Sequence, residues 1–245
     1  IWDDFVAKTL EMGAFGLENL SLIPGTVGAS AVQNIGAYGA EAGDFIKEVK
    51  FIHLCSKEVR TLSSHECNFS YRNSVFKNEL NNEVLILSVQ FKLNKKFSAN
   101  IGYSDLLNHF GDNKNISALD VRNAVIEIRN SKLPDPKIIG NAGSFFKNPI
   151  VYLDEFDKLL KKFPDLRYYK VGENEYKLAA GWLIDKCGLK GFEHNGAAVH
   201  ENQALVLVNK NGSASGQDIK NLAYIIREKV DEKFGVVLEP EVIFV

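Results

Sequence analysis

Residues Gly16 to Gly43 read GLENLSLIPGTVGASAVQNIGAYGAEAG, and no regular helix or strand fits them. The segment holds six glycines and few charged side chains, and its apolar residues follow neither a period of 3.6 nor a period of two. Because it carries so little charge, we do not expect a solvated linker. Glycine-rich backbone of this kind is typical of a segment that approaches another group closely.

The sequence around this segment predicts a mixture of helices and strands. We expect helices over 2–12, 117–129, 152–163, 178–187 and 215–235, and strands over 46–55, 58–62, 84–93 and 204–208 with two short strand-like runs around 239–241. Helices and strands do not alternate strictly, so the predicted fold class is α+β. Two prolines within 133–136 cannot continue a helix and mark a domain boundary.

Composition excludes several classes of protein. Of 245 residues, 45% are hydrophobic and 24% are charged, which is typical of a globular protein and not of a disordered one. The formal net charge of −2, with no long basic block, argues against a nucleic-acid partner. No apolar run reaches the length of a membrane-spanning helix. Three scattered cysteines favour a reducing compartment.

Common cofactor and metal motifs give no strong signal. The sequence has neither a G-x-G-x-x-G dinucleotide fingerprint nor a P-loop. Gly212–Gly216 resembles a nucleophile elbow, but its central residue is Ala214. The pairs His53/Cys55 and His65/Cys67 each place two zinc-type ligands on one face of a strand, yet ordinary strand side chains are the better interpretation. We expect no metal site.

Several motifs in one order carry the functional signal. They are IPGTVG (23–28), QNIGAYG (33–39), YRNS (71–74), SKLPDP (131–136), GNAGSFFKNP (140–149), LAAGWLID (178–185) and LEPEV (238–242). Together they resemble the UDP-N-acetylenolpyruvoylglucosamine reductase (MurB) family over essentially the whole sequence. Tyr103 and the YRNS stretch resemble the branch of that family with a tyrosine-bearing loop over the substrate.

The resemblance implies a fold and a domain arrangement. Residues 1–133 are expected to be the second half of a PCMH-type (vanillyl-alcohol-oxidase-like) FAD-binding domain. Residues 134–234 are expected to form a smaller α+β substrate-binding domain, and 235–245 a final strand that returns to the FAD domain. The sequence starts at Ile1 and lacks the family's GGGSN-like phosphate loop. We therefore expect a native start upstream and a missing first FAD subdomain.

The resemblance also implies a reaction, which is reduction of UDP-N-acetylglucosamine enolpyruvate to UDP-N-acetylmuramate by FAD and NADPH. Ser144 would donate the proton to a carbanion-like carbon, which is a strong enough base to take it. Arg72 can pair with the substrate carboxylate through its guanidinium fork and stabilise the developing charge. Glu241 would act at the same charge, where it helps most if protonated.

Two further sets of residues follow from the resemblance. Glycine lets backbone N–H groups face a cofactor without a Cβ clash. The expected cofactor-binding residues are Pro24, Gly25, Thr26, Gly28, Asn34, Ile35, Gly36, Ala37, Gly39 and Arg129. The expected substrate-binding residues are Tyr71, Tyr103, Lys132, Asn148, Tyr169, Lys190 and Gln203.

The resemblance implies a cytoplasmic, monomeric flavoprotein oxidoreductase of cell-wall biogenesis, with roles in peptidoglycan synthesis, cell shape and cell division. Two alternatives remain open from the residues. The chain could be a UDP-sugar-binding module without redox chemistry, or an oxidase of the same broad FAD fold. The GNAGSFFKNP and LEPEV segments argue against the oxidase, since they resemble the enolpyruvyl substrate site.

Overall fold

The computed structural model describes residues 1–113 and 115–244. These residues form two compact units, Ile1–Arg129 and Asn130–Val245, each with its own hydrophobic core. The division lies inside the last turn of a helix, a few residues before the boundary that the prolines predict. Helices and strands are mixed in both units, as the sequence predicts.

The first unit contains four helices and five strands among its described residues. In chain order they are α1 (Trp2–Glu11), α2 (Val27–Ser30), β1 (Gly36–Ala37), β2 (Ala40–Glu41), β3 (Ile46–His53), β4 (Val59–Ser63), β5 (Val84–Phe91), α3 (Ser104–Phe110) and α4 (Ala118–Lys132). Short 3-10 helices span Glu18–Leu20 and Ala42–Asp44.

An antiparallel sheet in the order β4-β3-β5 supports the first unit. One face of β3 buries Val49 and Phe51 in the main core of the unit, together with Trp2 and Val6 from α1. The predicted helix 2–12 and hairpin 46–62 are thus confirmed. Burial of this apolar surface holds the glycine-rich segment against the sheet, because Leu20 and Ile35 belong to the same core.

Helix α4 confirms the helix predicted over 117–129 and buries one apolar face. Val121, Ala124, Val125 and Ile128 recur at helical spacing and are all buried. The Ser117 hydroxyl accepts the Asp120 N–H, as expected of an N-cap. The helix continues to Lys132, three residues beyond the prediction, and ends before Pro134.

The second unit contains three helices and seven strands among its described residues. They are β6 (Gly140–Ser144), β7 (Ile150–Tyr152), α5 (Leu153–Lys162), β8 (Tyr168–Lys170), β9 (Glu175–Leu178), α6 (Ala180–Lys186), β10 (Glu193–His194), β11 (Ala197–Val199), β12 (Val206–Asn209) and α7 (Gly216–Phe234). One antiparallel sheet has the order β10-β11-β12-β6, and a smaller one has the order β7-β9-β8.

Helix α7 covers the larger sheet and confirms the helix predicted over 215–235. Ser215 and Asp218 form a reciprocal capping box at its start, and Gly235 ends it in the left-handed conformation with φ +67°. Leu222, Ile226 and Val230 are completely buried on its inner face. Their contacts with the sheet make the core of the second unit.

The last described residues, 235–244, belong to the second unit. In place of the two strand-like runs expected around 239–241, they contain a single antiparallel bridge between Pro240 and Phe146. Residue patterns near 240 do not indicate that bridge, because its partner lies more than ninety residues earlier in the sequence. The return of this segment to the FAD domain stays a prediction.

Candidate active site

A tight hairpin lies at the end of the glycine-rich segment. Strands β1 and β2 are joined by Tyr38 and Gly39, both with positive φ (+47° and +80°). The buried Asn34 side chain secures its base, since its Nδ2 donates to Glu41 Oε2 (2.6 Å) and to Ser70 O (3.0 Å). The structure thus gives the Asn34 amide group partners inside the protein.

Arg72 contacts this hairpin directly. Its Nη2 donates to Gly36 O, and a Cβ added at Gly36 would lie 2.8 Å from Arg72 Nη1. Glycine at position 36 therefore leaves the space that the guanidinium occupies. The centroid of the Tyr71 ring lies 5.1 Å from the Arg72 guanidinium carbon, within the range of a cation–π contact. The predicted catalytic Arg72 and the predicted cofactor segment are brought together.

The first half of the glycine-rich segment is anchored by α1. Trp2 N–H donates to Gly25 O (3.0 Å), and Asp3 accepts the N–H of Leu22 (2.6 Å), whose φ is +59°. Thr26 accepts the Ala29 N–H and caps α2. Pro24 lies in the loop before Gly25, and Gly28 is the second residue of α2. Ile35 is largely buried in the core, while Ala37 faces Ala40 across the hairpin.

Arg129 on α4 is a partly buried cation near the hairpin. Its Nε is buried and has no hydrogen-bond partner among the described residues. Burial lowers the pKa of the Arg129 guanidinium, while the neighbouring Tyr38 and Asp3 act in the opposite direction. Burial also raises the pKa of Tyr38, and the nearby Arg129 lowers it. A buried guanidinium nitrogen without a partner suits an anionic group of a ligand.

Tyr103 lies beside the hairpin as well. It immediately precedes α3, and its carbonyl oxygen accepts the Leu107 N–H (2.9 Å). Its ring packs edge-on against Tyr38, with ring centroids 5.4 Å apart. Within the first unit, Arg72, Tyr103 and Arg129 therefore surround one hairpin.

In the second unit, Ser144 stands at an irregular strand end. It is the last residue of β6 and pairs with Val206 of β12, next to a break in the register. Gly143 before it has φ +73°, and its N–H donates to Asn141 Oδ1 (3.0 Å). A bulge of this kind turns the strand and redirects the following side chain. Ser144 is exposed, so its hydroxyl is accessible to a ligand.

A short antiparallel pairing brings the segment of Glu241 next to the segment of Ser144. Lys147 N–H donates to Glu239 O (2.9 Å), and Glu241 N–H donates to Phe145 O (2.8 Å). The Lys147 ammonium also pairs with the Glu239 carboxylate. Glu241 therefore lies opposite the residue that follows Ser144. The two predicted catalytic residues of this unit are brought into one region.

Asn148 and Gln203 meet the first turn of α6. The Ala180 N–H donates to Asn148 Oδ1 (2.9 Å), and Gln203 Oε1 would lie 3.3 Å from a Cβ at Gly181. Because Asn148 follows the paired residues 145–147, this turn is continuous with the region of Ser144. The remaining predicted substrate residues are more scattered. Lys190 pairs with Asp185 (3.2 Å), Tyr169 lies in β8 opposite Lys177, and Lys132 is the last residue of α4.

A cleft of about 850 Å³ borders the glycine-rich segment at Asn34. Glu41, Asp44 and Glu66 line it, so its charge does not suit a diphosphate. The zinc interpretation also finds no support there or elsewhere in the described residues, where no three metal-type ligands converge. Burial raises the pKa of Cys67 to about 12, which disfavours a metal-binding thiolate.

Sequence reasoning missed several residues that organise these regions. Asn19 and Asn100 hold the hairpin, and Lys147 and Glu239 link the Ser144 and Glu241 segments. Asn19 lies within the quoted glycine-rich segment, and Lys147 and Glu239 lie within the quoted motifs. The motifs could have identified these three residues as candidates, but local sequence does not indicate which residues they contact.

Comparison with known proteins agrees with this architecture. Residues 135–245 match a family model described as the C-terminal domain of UDP-N-acetylenolpyruvoylglucosamine reductase. The crystal structure of UDP-N-acetylenolpyruvylglucosamine reductase (MurB) from Thermus caldophilus matches with a TM-score of 0.64 at 24% identity, covering 97% of this chain and 66% of that one. At that identity the likeness shows the fold, and the α+β prediction is confirmed.

More similar relatives establish the family. The UDP-N-acetylenolpyruvoylglucosamine reductase of Neisseria gonorrhoeae is 52% identical over 244 residues, covering 98% of this chain and 70% of that protein. The one of Flavobacterium johnsoniae is 49% identical over 245 residues, covering 98% and 72%. The chain therefore belongs to the UDP-N-acetylenolpyruvoylglucosamine reductase family, a family of oxidoreductases. Among the described residues, none of the helices is both long and apolar enough to span a membrane.

Proposed function

We propose that this protein reduces UDP-N-acetylglucosamine enolpyruvate to UDP-N-acetylmuramate, with FAD as cofactor and NADPH as reductant. The observation that carries the proposal is the pairing of residues 145–147 with 239–241, because it puts Ser144 and Glu241 in one region. The resemblance of the ordered motifs to the family supports catalytic roles for both residues. Family membership supplies the substrate and the reaction class.

The residues of the first unit fit FAD. The Gly36–Glu41 hairpin offers backbone groups without bulky side chains at Gly36 and Gly39, and Arg129 offers a guanidinium whose buried Nε has no partner among the described residues. Both suit a planar, anionic cofactor. We propose that residues 24–39 and Arg129 hold FAD. The first unit would then hold the cofactor, and the second would supply most of the proposed substrate-binding residues.

Ser144 is proposed as the proton donor. A bound FAD, with NADPH as reductant, would supply hydride chemistry at the terminal vinyl carbon. The carbon beside the carboxylate then needs a proton. The Ser144 hydroxyl is exposed beside the turn at Gly143, where no Cβ obstructs a ligand. A serine hydroxyl is a weak acid, but a carbanion-like centre is basic enough to accept its proton.

Arg72 and Glu241 are proposed to stabilise the charge that develops on the carboxylate. The Arg72 guanidinium is fixed by Gly36 O and by the Tyr71 ring, so little reorganisation is needed when charge develops. A preorganised donor of this kind contributes about a hundredfold or more to turnover. A protonated Glu241 would donate a further hydrogen bond at the same charge.

The substrate-binding residues would act on the rest of the molecule. Lys132 and Lys190 supply cations for a diphosphate, and Asn148 and Gln203 supply amide groups near α6. Tyr71, Tyr103 and Tyr169 supply aromatic and hydroxyl contacts. In the cell we propose a cytoplasmic monomer that makes peptidoglycan precursors, and the small number of scattered cysteines supports the reducing compartment.

The test is Ser144→Ala in the full-length gene product. Reduction of bound flavin by NADPH should stay near the wild-type rate, because Ser144 takes no part in that step. Reoxidation by the enolpyruvyl sugar nucleotide should slow by about a hundredfold or more. Ser213→Ala is the matched control, since Ser213 is an exposed serine of the same unit. Loss of flavin reduction in Ser144→Ala would contradict the assignment.

An anaerobic absorbance titration distinguishes the alternatives. NADPH should bleach the yellow protein, and only the enolpyruvyl sugar nucleotide should restore its colour. A colourless protein that binds the sugar nucleotide would instead be a UDP-sugar-binding module. Rapid recovery of colour with oxygen alone would indicate an oxidase.

A further inference from the structure

One buried asparagine joins two segments that are far apart in sequence. Asn19 is 3% exposed, and its Nδ2 donates to Tyr38 O and to Asn100 O, both at 2.7 Å. Asn100 returns the link, because its Nδ2 donates to Gly39 O (3.1 Å). Three hydrogen bonds therefore tie the turn of the hairpin to residue 100. We call Asn19 and Asn100 the asparagine clasp.

We propose that the asparagine clasp positions Tyr103 against the cofactor hairpin, so that Asn19 and Asn100 are positioning residues for substrate binding. The proposal rests on the proposed function, which gives Tyr103 its contact with the sugar nucleotide.

The turn that the clasp holds is strained. Two-residue hairpin turns with positive φ at both positions prefer asparagine or aspartate followed by glycine. Here the first position is Tyr38 with φ +47°, and a bulky side chain is disfavoured in that conformation. Such a conformation persists only where its surroundings determine it. Here the turn is held by two hydrogen bonds, from Asn19 Nδ2 to Tyr38 O and from Asn100 Nδ2 to Gly39 O.

The clasp also fixes the backbone that precedes Tyr103. Asn100 lies three residues before Tyr103, and its carbonyl oxygen is held by Asn19. From Tyr103 onward the chain enters α3, so the backbone is fixed on both sides of the tyrosine. The ring itself rests edge-on against Tyr38. Tyr38, the residue held by Asn19, thus supports the ring of Tyr103.

The same hairpin binds Arg72, because Gly36 O accepts a hydrogen bond from the guanidinium. Because β1 and β2 form one hairpin, a shift of Tyr38 and Gly39 would change the relation between Tyr103 and Arg72. The clasp therefore does more than stabilise the fold. It sets the spacing between a proposed substrate contact and a proposed catalytic guanidinium.

The test measures binding of UDP-N-acetylglucosamine enolpyruvate to the oxidised, FAD-loaded full-length gene product by titration calorimetry. Without reductant there is no turnover, so the measurement gives Kd directly. Asn100→Ala is the main variant, because Asn100 is exposed and its carbonyl can still accept from Asn19. We expect Kd to rise about fivefold for Asn100→Ala and about tenfold or more for Asn19→Ala. Asn81→Ala, at another exposed asparagine of the unit, should leave Kd unchanged.

A double-mutant cycle separates positioning from general destabilisation. If the clasp acts through Tyr103, the Asn100→Ala effect on Kd should shrink to less than about twofold in a Tyr103→Phe background. Hydrogen exchange over residues 97–107 should also become faster in Asn100→Ala, which reports the segment independently of binding. An equal effect in both backgrounds, or a wild-type Kd in folded Asn100→Ala, overturns the proposal.

The outcomes also separate this proposal from the proposed function. If wild-type protein fails to bind the sugar nucleotide, the proposed function is wrong and the clasp has no substrate role. If wild-type binds and the asparagine variants match Asn81→Ala, only the clasp proposal is wrong. Should Asn19→Ala fail to fold by circular dichroism, Asn100→Ala alone decides.

Discussion

Asp3 is expected to stabilise the first unit through two separate interactions. Its carboxylate accepts hydrogen bonds from both terminal nitrogens of Arg122, at 2.7 and 2.8 Å, and it also accepts the Leu22 N–H at 2.6 Å. The side chains of Arg122 and Asp3 are only 12% and 24% exposed. Through Leu22 this pair reaches the residue just before the Ile23-Pro24-Gly25 turn, so Asp3 connects α1 and α4 to the proposed cofactor segment.

Two substitutions separate these interactions. Asp3→Asn keeps an acceptor for Leu22 but removes the charge opposite Arg122, and it should cost about 1.5 kcal/mol of unfolding free energy. Asp3→Ala removes both interactions and should cost about 3 kcal/mol. Removing one partner of a fully buried ion pair costs about 3–5 kcal/mol. Asp3 is partly exposed to solvent, so we expect both substitutions to cost no more than the lower end of that range.

The assay is denaturant unfolding followed by tryptophan fluorescence in a Trp182→Phe background. Trp2 is completely buried beside Asp3, so it reports the first unit. Glu11→Ala, which removes the exposed Lys8–Glu11 pair of the same helix, is the control and should leave the midpoint unchanged. Equal costs for Asp3→Asn and Asp3→Ala would show that the Leu22 bond contributes nothing. Costs below about 0.5 kcal/mol for both would refute the role of Asp3.

The same variants should depend on pH in a defined direction. The Arg122 guanidinium lowers the pKa of Asp3 below its ordinary value of 3.8. A carboxyl group whose pKa is lower in the folded state contributes stability above its unfolded pKa and loses it as the pH falls. The difference between wild-type and Asp3→Asn should therefore be constant at neutral pH and shrink below pH 3.8. A difference that grows on acidification would contradict the assignment.

Two further substitutions test local geometry. Gly36→Ala would place a Cβ 2.8 Å from Arg72 Nη1, so the guanidinium must move, and kcat should fall about tenfold or more. Gly216→Ala, where the added Cβ meets nothing within 4 Å, is the control, and normal turnover in Gly36→Ala would contradict the proposed Arg72 position. Ser215→Ala removes the N-cap of α7 and should cost about 1 kcal/mol in urea unfolding. An unchanged midpoint would mean that the cap does not limit stability.

Helices were predictable where their signals are local. Helix α7 has its capping box, its apolar stripe and its terminal glycine within one continuous segment, and all three lie where the sequence places them. The start of α1 has no such local signal. Its N-cap is Ile1, which makes no side-chain cap, and the nearby Asp3 carboxylate bonds Arg122 on α4. Local sequence does not indicate that long-range ion pair.

Strands in the second unit were harder to predict because their partners are remote. Strand β6 is made of GNAGS, which has small residues and no alternation of apolar and polar side chains. It exists because β12 offers a buried edge some sixty residues later, with a shifted register at Gly143. The contact between Asn19 and Asn100 in the first unit was hard to predict for the same reason. Asn19 and Asn100 are 81 residues apart, and no short motif contains both.

The pairing of residues 145–147 with 239–241 was also hard to predict, because it contains a proline. Proline lacks an N–H, so Pro240 argues against a continuous strand through LEPEV. In the structure the two hydrogen bonds use Lys147 N–H and Glu241 N–H, which flank the Phe146–Pro240 pair on either side. Pro240 therefore occupies an antiparallel position that requires no donor from it. The proline that breaks the predicted strand is thus compatible with the one pairing that brings Glu241 to the segment of Ser144.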